Sequence, residues 1–192
     1  MKENKLFQKV IGHIIVIGFV IFSTAFSVYF GSPQKVKNEK GIVGKYAEDI
    51  ESDVLYKVVR VLDGDTLIAS VAGHDLTVRL MGMDTPEVVD PRKPVQCFGP
   101  EASAKAKELL DKKEIFLEKD PLKKDAYDKY GRVLAYVHFS DGSLYNEYMI
   151  EHGFAREYTY NKEKYTYQKE FKADQVEAKK NNVGLWKECG NK

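Results

Sequence analysis

Residues 54–83 read VLYKVVRVLDGDTLIASVAGHDLTVRLMGM. Three runs rich in Val, Leu and Ile lie here, Val54 to Leu62, Thr66 to Ala72 and His74 to Met83. Such runs of β-branched and aliphatic residues bounded by turn residues predict strands. Asp63-Gly64-Asp65 separates the first pair and Gly73 the second, as tight hairpin turns do. Downstream, Pro86, Pro91, Pro94 and Pro100 exclude regular structure from the next loop. Ala102, Ala106, Leu109 and Leu110 then recur at helical spacing, which predicts a helix over Glu101 to Lys112. Glu114 to Glu118 and Arg132 to Phe139 read as two further strands across a charged loop, Asp120 to Gly131. Ser143 is placed to cap a short helix that ends at Gly153. Phe154 to Tyr160 reads as extended, and a last helix runs from about Glu163 to Asn181. Five short strands interleaved with three helices predict an α+β fold, a small closed barrel of the OB type with helices packed around it.

The whole chain has 192 residues, 43% hydrophobic and 31% charged, a composition that belongs to a globular domain. Residues 1–50 hold seven Lys against four acids, which leaves 23 basic and 25 acidic groups downstream. That balance excludes a broadly basic surface that coats nucleic acid and leaves room for a local cationic site. Two cysteines cannot form a disulfide-rich scaffold or a four-cysteine zinc site. The four histidines offer no His-x-x-x-His pair for a zinc hydrolase.

Val10 to Phe30 contains no Asp, Glu, Lys or Arg. As a helix it would reach about 30 Å, the thickness of a bilayer core. Lys2, Lys5 and Lys9 precede it, a cationic flank that stays cytoplasmic. Residues 1–30 are therefore expected to be a signal peptide or a membrane anchor. Ala25-Phe26-Ser27 suits cleavage after Ser27, whereas the length of the apolar run suits retention, and both readings stay open. Either way the remaining chain is exported, secreted or anchored at the outer face of the cytoplasmic membrane. Residues 31–53 read as a polar linker and 54–190 as the folded domain.

Chemistry concentrates in four acids and two arginines. Asp63 and Asp65 flank Gly64, Asp84 and Glu87 flank Thr85-Pro86, Arg79 lies on the third strand and Arg132 begins a later one. Neighbouring carboxylates repel unless they share a cation, so such groups suit a hard metal with oxygen ligands. Two arginines can grip one phosphate and offset charge in its transition state. Together they point to metal-assisted attack of water on a phosphodiester. Each piece alone also reads as structure: Asp-Gly-Asp as a solvated turn, Asp84-Thr85-Pro86-Glu87 as a helix start, Arg79 as the outer face of a strand.

Asp63-Gly64-Asp65-Thr66, Val78-Arg79-Leu80 and Asp84-Thr85-Pro86-Glu87 closely resemble the thermonuclease (staphylococcal nuclease) family. Gly99-Pro100-Glu101-Ala102-Ser103, Asp128-Lys129-Tyr130-Gly131-Arg132, Asn146-Glu147 and Gly184-Leu185-Trp186 continue the match in order, over about residues 54–187. The resemblance implies an OB-fold barrel with three helices and Ca²⁺-dependent cleavage of DNA and RNA to 3′-phosphate products by a monomer. It implies Asp65 and Asp84 as Ca²⁺ ligands together with the Thr85 carbonyl, and Asp63 as a neighbour of the ligands. Glu87 would orient or deprotonate the attacking water, and Arg79 and Arg132 would bind the scissile phosphate. Lys129 and Tyr130 would line the phosphate subsite. Tyr158 and Tyr160 offer faces for base stacking, or else pack the barrel rim. The chain departs from the family in lacking any proline after Pro121 and in the slightly acidic balance of its folded part. A nucleic-acid-binding module without catalysis is the rival reading, and the retained acid cluster argues against it. A tethered nuclease within a membrane assembly that takes up or processes DNA is a third.

Cys97 and Cys189 lie 92 positions apart. In an oxidising exterior they can pair, and a bridge over so long a loop is worth about 4–5 kcal/mol in the chain-entropy model. Two unpaired thiols are the alternative.

Overall fold

The computed structural model describes residues 40–190 apart from Lys93, with the backbone alone for 40–43. The apolar run of residues 10–30 and the segment 31–39 lie outside the described residues. Five strands close into a barrel in the order β1–β2–β3–β6–β5, with β1 pairing back onto β5. These are β1 (Leu55–Asp63), β2 (Thr66–Val71), β3 (His74–Leu80), β5 (Glu114–Glu118) and β6 (Val133–His138). Alternation places Leu67, Ala69 and Val71 of β2 and Leu76, Val78 and Leu80 of β3 inside, which is why these stretches fold as strands. The predicted hairpins are both antiparallel pairs, with Asp63 opposite Thr66 and Val71 opposite His74 at their turns. β3 and β6 pair in parallel, with Arg79 beside Leu134. A two-residue strand β4 (Met83–Asp84) pairs with β7 (Arg156–Glu157), so Asp84 faces Arg156.

The helices are α1 (Lys40–Glu48), α2 (Gly99–Leu110), α3 (Tyr145–Glu151), α4 (Gln168–Lys180) and a short α5 (Leu185–Glu188). Their local readings need three corrections. Part of the stretch 31–53 expected as linker is structured: α1 carries Ala47 into the core, and Ile50 follows it there. Tyr46 stacks on His74 with ring centroids 4.0 Å apart, and Lys119 Nζ donates to the Glu48 carbonyl. The folded body thus begins before residue 54. Ser143 does not cap α3; its amide and hydroxyl both donate to Asp141, inside the turn, and Leu144 holds the cap position. The last helix starts at Gln168 rather than near Glu163. The Thr166 amide and hydroxyl donate to the buried Asp120, and Tyr165 is buried in the core, which holds 163–167 out of helical form.

Asp120 also accepts from the Tyr136 hydroxyl and the Leu122 amide. Burial pushes its carboxyl up, but these hydrogen bonds outweigh burial and hold it below the usual range. Cys97 and Cys189 form a disulfide, with Cα atoms 5.8 Å apart.

Candidate active site

The turn between β1 and β2, the end of β3 and β4 converge at one rim of the barrel. Asp65 is only 8% exposed. Its Oδ1 accepts from Thr66 Oγ1 at 2.8 Å and its Oδ2 from the Thr85 amide at 3.1 Å. Arg79 stands between the two expected ligand carboxylates, its Nη2 lying 3.1 Å from Asp65 Oδ2 and 2.8 Å from Asp84 Oδ1. Its Nη1 donates to the Leu80 and Met83 carbonyls at 2.9 and 3.0 Å, which fixes the plane of the guanidinium.

The electrostatics are those of crowded anions. Burial first, then the field of Asp65, raises Asp84 above the ordinary carboxylate range, while Arg79 and Arg156 pull it back. Asp63 is pushed up to about 6 by burial and by its neighbours Asp65 and Glu87, against the pull of the Gly64 amide. Thr85 Oγ1 is buried without a hydrogen-bond partner among the described residues. Crowded carboxylates and a buried oxygen without a partner suit a small divalent cation.

The two acid-bearing segments touch through Gly64. A Cβ there would lie 2.6 Å from Thr85 Cγ2, so only glycine lets the turn approach this closely. On its other side the Gly64 carbonyl accepts from the fully buried Tyr145 hydroxyl of α3. Glu87 lies at the start of the proline-rich loop. Its Oε1 accepts from the Val89 and Asp90 amides at 2.8 and 3.0 Å.

Arg132, Lys129 and Tyr130 form a second group. Asp128 holds Arg132 through Nε at 2.8 Å and Nη2 at 2.7 Å and also accepts from the Tyr130 and Arg132 amides. Lys129 Nζ and the Arg132 guanidinium lie 5.0 and 5.4 Å from the centre of the Tyr130 ring, which is 65% exposed. Arg92 is held by Asp90 in a two-pronged pair. Tyr158 and Tyr160 are exposed rather than packed into a rim.

Asp128, Tyr145 and Gln96, whose Oε1 accepts from the Glu87 amide, carry site geometry that the sequence reading left without a role. Asp128 had a signal, a carboxylate placed to bond the amides two and four residues on in Asp-Lys-Tyr-Gly-Arg. A further acidic group joins α3 to α4, where Glu147, Glu151 and Asp174 bring one ligand atom each within 4.8 Å of one another.

Comparison with known proteins finds relatives over most of the folded part. The family described as staphylococcal nuclease homologue matches residues 77–188. A thermonuclease of Staphylococcus intermedius is 38% identical over 149 residues, covering 78% of this chain and 85% of that protein. A thermonuclease of Staphylococcus hyicus is 40% identical over 131 residues, 68% of this chain and 75% of its own length. The SPbeta prophage-derived endonuclease YokF of Bacillus subtilis is 39% identical over 131 residues, 68% of this chain and 43% of that longer protein.

Proposed function

We propose that this chain, which belongs to the staphylococcal nuclease homologue family, is a Ca²⁺-dependent nuclease that hydrolyses phosphodiester bonds of DNA and RNA to 3′-phosphate products. The observation that carries the reading is Arg79 poised between Asp65 and Asp84 at a rim that also holds Glu87. Asp65, Asp84 and Thr85 would hold the ion, whose chemistry is to polarise a phosphoryl oxygen and lower the pKa of bound water. Arg79 binds the scissile phosphate and offsets the charge that builds on it. Arg132, its guanidinium held by Asp128, does the same near the leaving oxygen; it stabilises charge and does not give up a proton. Glu87 orients the attacking water. Lys129 and Tyr130 receive the neighbouring phosphate, and the faces of Tyr158 and Tyr160 stack on bases without regard to sequence. All of these groups lie on one chain, so a monomer suffices.

The reading includes action outside the cytoplasm, with residues 1–30 as signal or anchor and a folded body that begins near residue 40. The cationic flank, the uncharged run and the disulfide support it. Intact mass of the protein recovered from membranes and from medium separates anchored from released forms.

The test of activity is cleavage of single-stranded DNA across a Ca²⁺ titration, with EGTA and Glu87→Gln as controls. Cleavage that needs Ca²⁺ and collapses in the variant supports the reading. Binding without cleavage in every divalent metal tried would replace it with a binding module.

A further inference from the structure

We propose that the Cys97–Cys189 disulfide, acting through Gln96, holds Glu87 in its working position, which makes Gln96 a positioning residue. The inference rests on the role given to Glu87 above. Glu87 and Gln96 are the two ends of the proline-rich loop, and they clasp each other. The Glu87 amide donates to Gln96 Oε1 at 3.0 Å, and the Gln96 amide donates to the Glu87 carbonyl at 3.0 Å. The Glu87 carboxylate is itself turned onto the amides of Val89 and Asp90 within that loop, so the path of the loop sets where the carboxylate stands.

The clasp is weak alone, because the bond from the Glu87 amide is exposed and water competes for it. Cys97, the next residue, carries the covalent anchor. The segment beyond it backs directly onto Glu87. A Cβ on Gly99 would lie 2.5 Å from Val88 Cγ1 and 3.0 Å from the Pro86 carbonyl. Phe98 between them adopts a left-handed backbone, φ 65°, which a side chain disfavours and the surroundings must hold. Its ring stacks on Phe154 at 5.6 Å, and Phe98 and Cys189 both pack against the cluster of Ala178, Leu185 and Trp186. The far end of the disulfide is fixed rather than loose. Cys189 closes α5, and the Leu185 amide that begins α5 donates to the Gly153 carbonyl just beyond α3. A continuous path thus runs from the end of α3 through α5, the disulfide and Gln96 to the backbone of Glu87. The Asp65 and Asp84 carboxylates take their own hydrogen bonds from Thr66, Arg79 and the Thr85 amide rather than from the clasp.

The experiment uses the full chain and compares wild type, Cys97→Ser/Cys189→Ser, Gln96→Ala, Gln96→Glu and Glu87→Gln. We expect kcat on a short oligonucleotide to fall about tenfold without the disulfide and in Gln96→Ala, by the loosening of a positioned group. KM and the Ca²⁺ dissociation constant, measured by calorimetry, stay within about twofold. Gln96→Glu, which keeps an acceptor oxygen for the Glu87 amide, recovers most of the loss, and removing the disulfide in a Glu87→Gln background costs nothing more. A folded, disulfide-free protein with wild-type kcat and only a lower Tm overturns the proposal and leaves the disulfide a simple staple. If the double serine variant does not fold, the Gln96 pair decides: equal kcat in Gln96→Ala and wild type overturns it. Full turnover by Glu87→Gln instead overturns the role of Glu87, and this coupling with it.

Discussion

The Tyr145 hydroxyl donates to the Gly64 carbonyl at 2.8 Å across 81 residues of sequence. The bond fastens the turn that carries Asp65 to the buried face of α3. Tyr145 is fully buried, and burial, reinforced by the field of Asp65 and Asp63, holds its hydroxyl protonated far above its ordinary range. Tyr145→Phe keeps the ring and removes only the donor. The buried Gly64 carbonyl then lacks this partner, at a cost of about 1–2 kcal/mol. The urea midpoint should fall accordingly, and Ca²⁺ affinity measured by calorimetry should weaken several-fold as the Asp65 turn loosens. Unchanged Ca²⁺ affinity in a destabilised Tyr145→Phe protein would sever the turn from the metal site.

Arg132 depends on Asp128 for its aim, since two of its guanidinium nitrogens and its amide all bind that carboxylate. Asp128→Ala should leave Ca²⁺ binding intact while kcat drops by about 10- to 100-fold, the scale for loss of a placed charge in the transition state. Steady-state kinetics beside calorimetry checks the split; a parallel loss of Ca²⁺ affinity would contradict it.

Asp120 ties β6, through Tyr136, to the segment before α4, through Thr166. Its carboxyl is held below the usual range, so its contribution is present above about pH 4, the unfolded value, and is lost as pH falls through the depressed folded value. Asp120→Ala should cost about 3 kcal/mol at neutral pH by removing a buried carboxylate and its charged hydrogen bonds, that from the buried Tyr136 hydroxyl among them. Denaturant melts at pH 7 and pH 3 should show the difference shrinking in acid.

Asp174 behaves oppositely. Burial and the carboxylates of Glu147, Glu151 and Glu170 push it up to about 6, and its Oδ2 is buried without a partner among the described residues. The folded state therefore prefers the protonated acid. That preference is fully available below the unfolded value near 4 and is lost as pH rises through about 6. Asp174→Asn should accordingly stabilise the protein at pH 8, by on the order of 1 kcal/mol once solvent screening is allowed for. The gain should vanish near pH 4. Thermal melts at the two pH values read this directly, and equal gains at both would exclude the charge as the cause.

The barrel was legible because two tight turns separate three aliphatic runs in residues 54–83; the bulge that breaks the alternation of β1 between Val58 and Arg60 was not. Arg79 and the acids were legible as residue types, and the family motifs supplied their roles. What escaped the sequence depends on distance along the chain. The Tyr145 to Gly64 bond exists only once the barrel has closed, and no local pattern near either residue announces it. The start of α4 was misread because helix-compatible residues 163–167 are held by Asp120, 46 positions before Thr166. α1 was missed because it is short and carries Gly41 and Gly44, poor helix formers that read as linker. Only its docking through Tyr46, Ala47 and Ile50 gives it a reason to form.

The disulfide has a consequence for surviving a proteolytic cut. Most of the folded body lies between Cys97 and Cys189, including the exposed Leu122 loop. A single cut there separates β1, β2, β3 and β5 on one piece from β6, α3 and α4 on the other. The two pieces remain one molecule, because each keeps one of the joined cysteines. β6 still pairs with both β3 and β5 across the cut. Tethered at high effective concentration, the halves re-form the barrel instead of diffusing apart. A nicked protein should therefore run as one band without reductant and as two with it, and should keep its fold until the disulfide is opened.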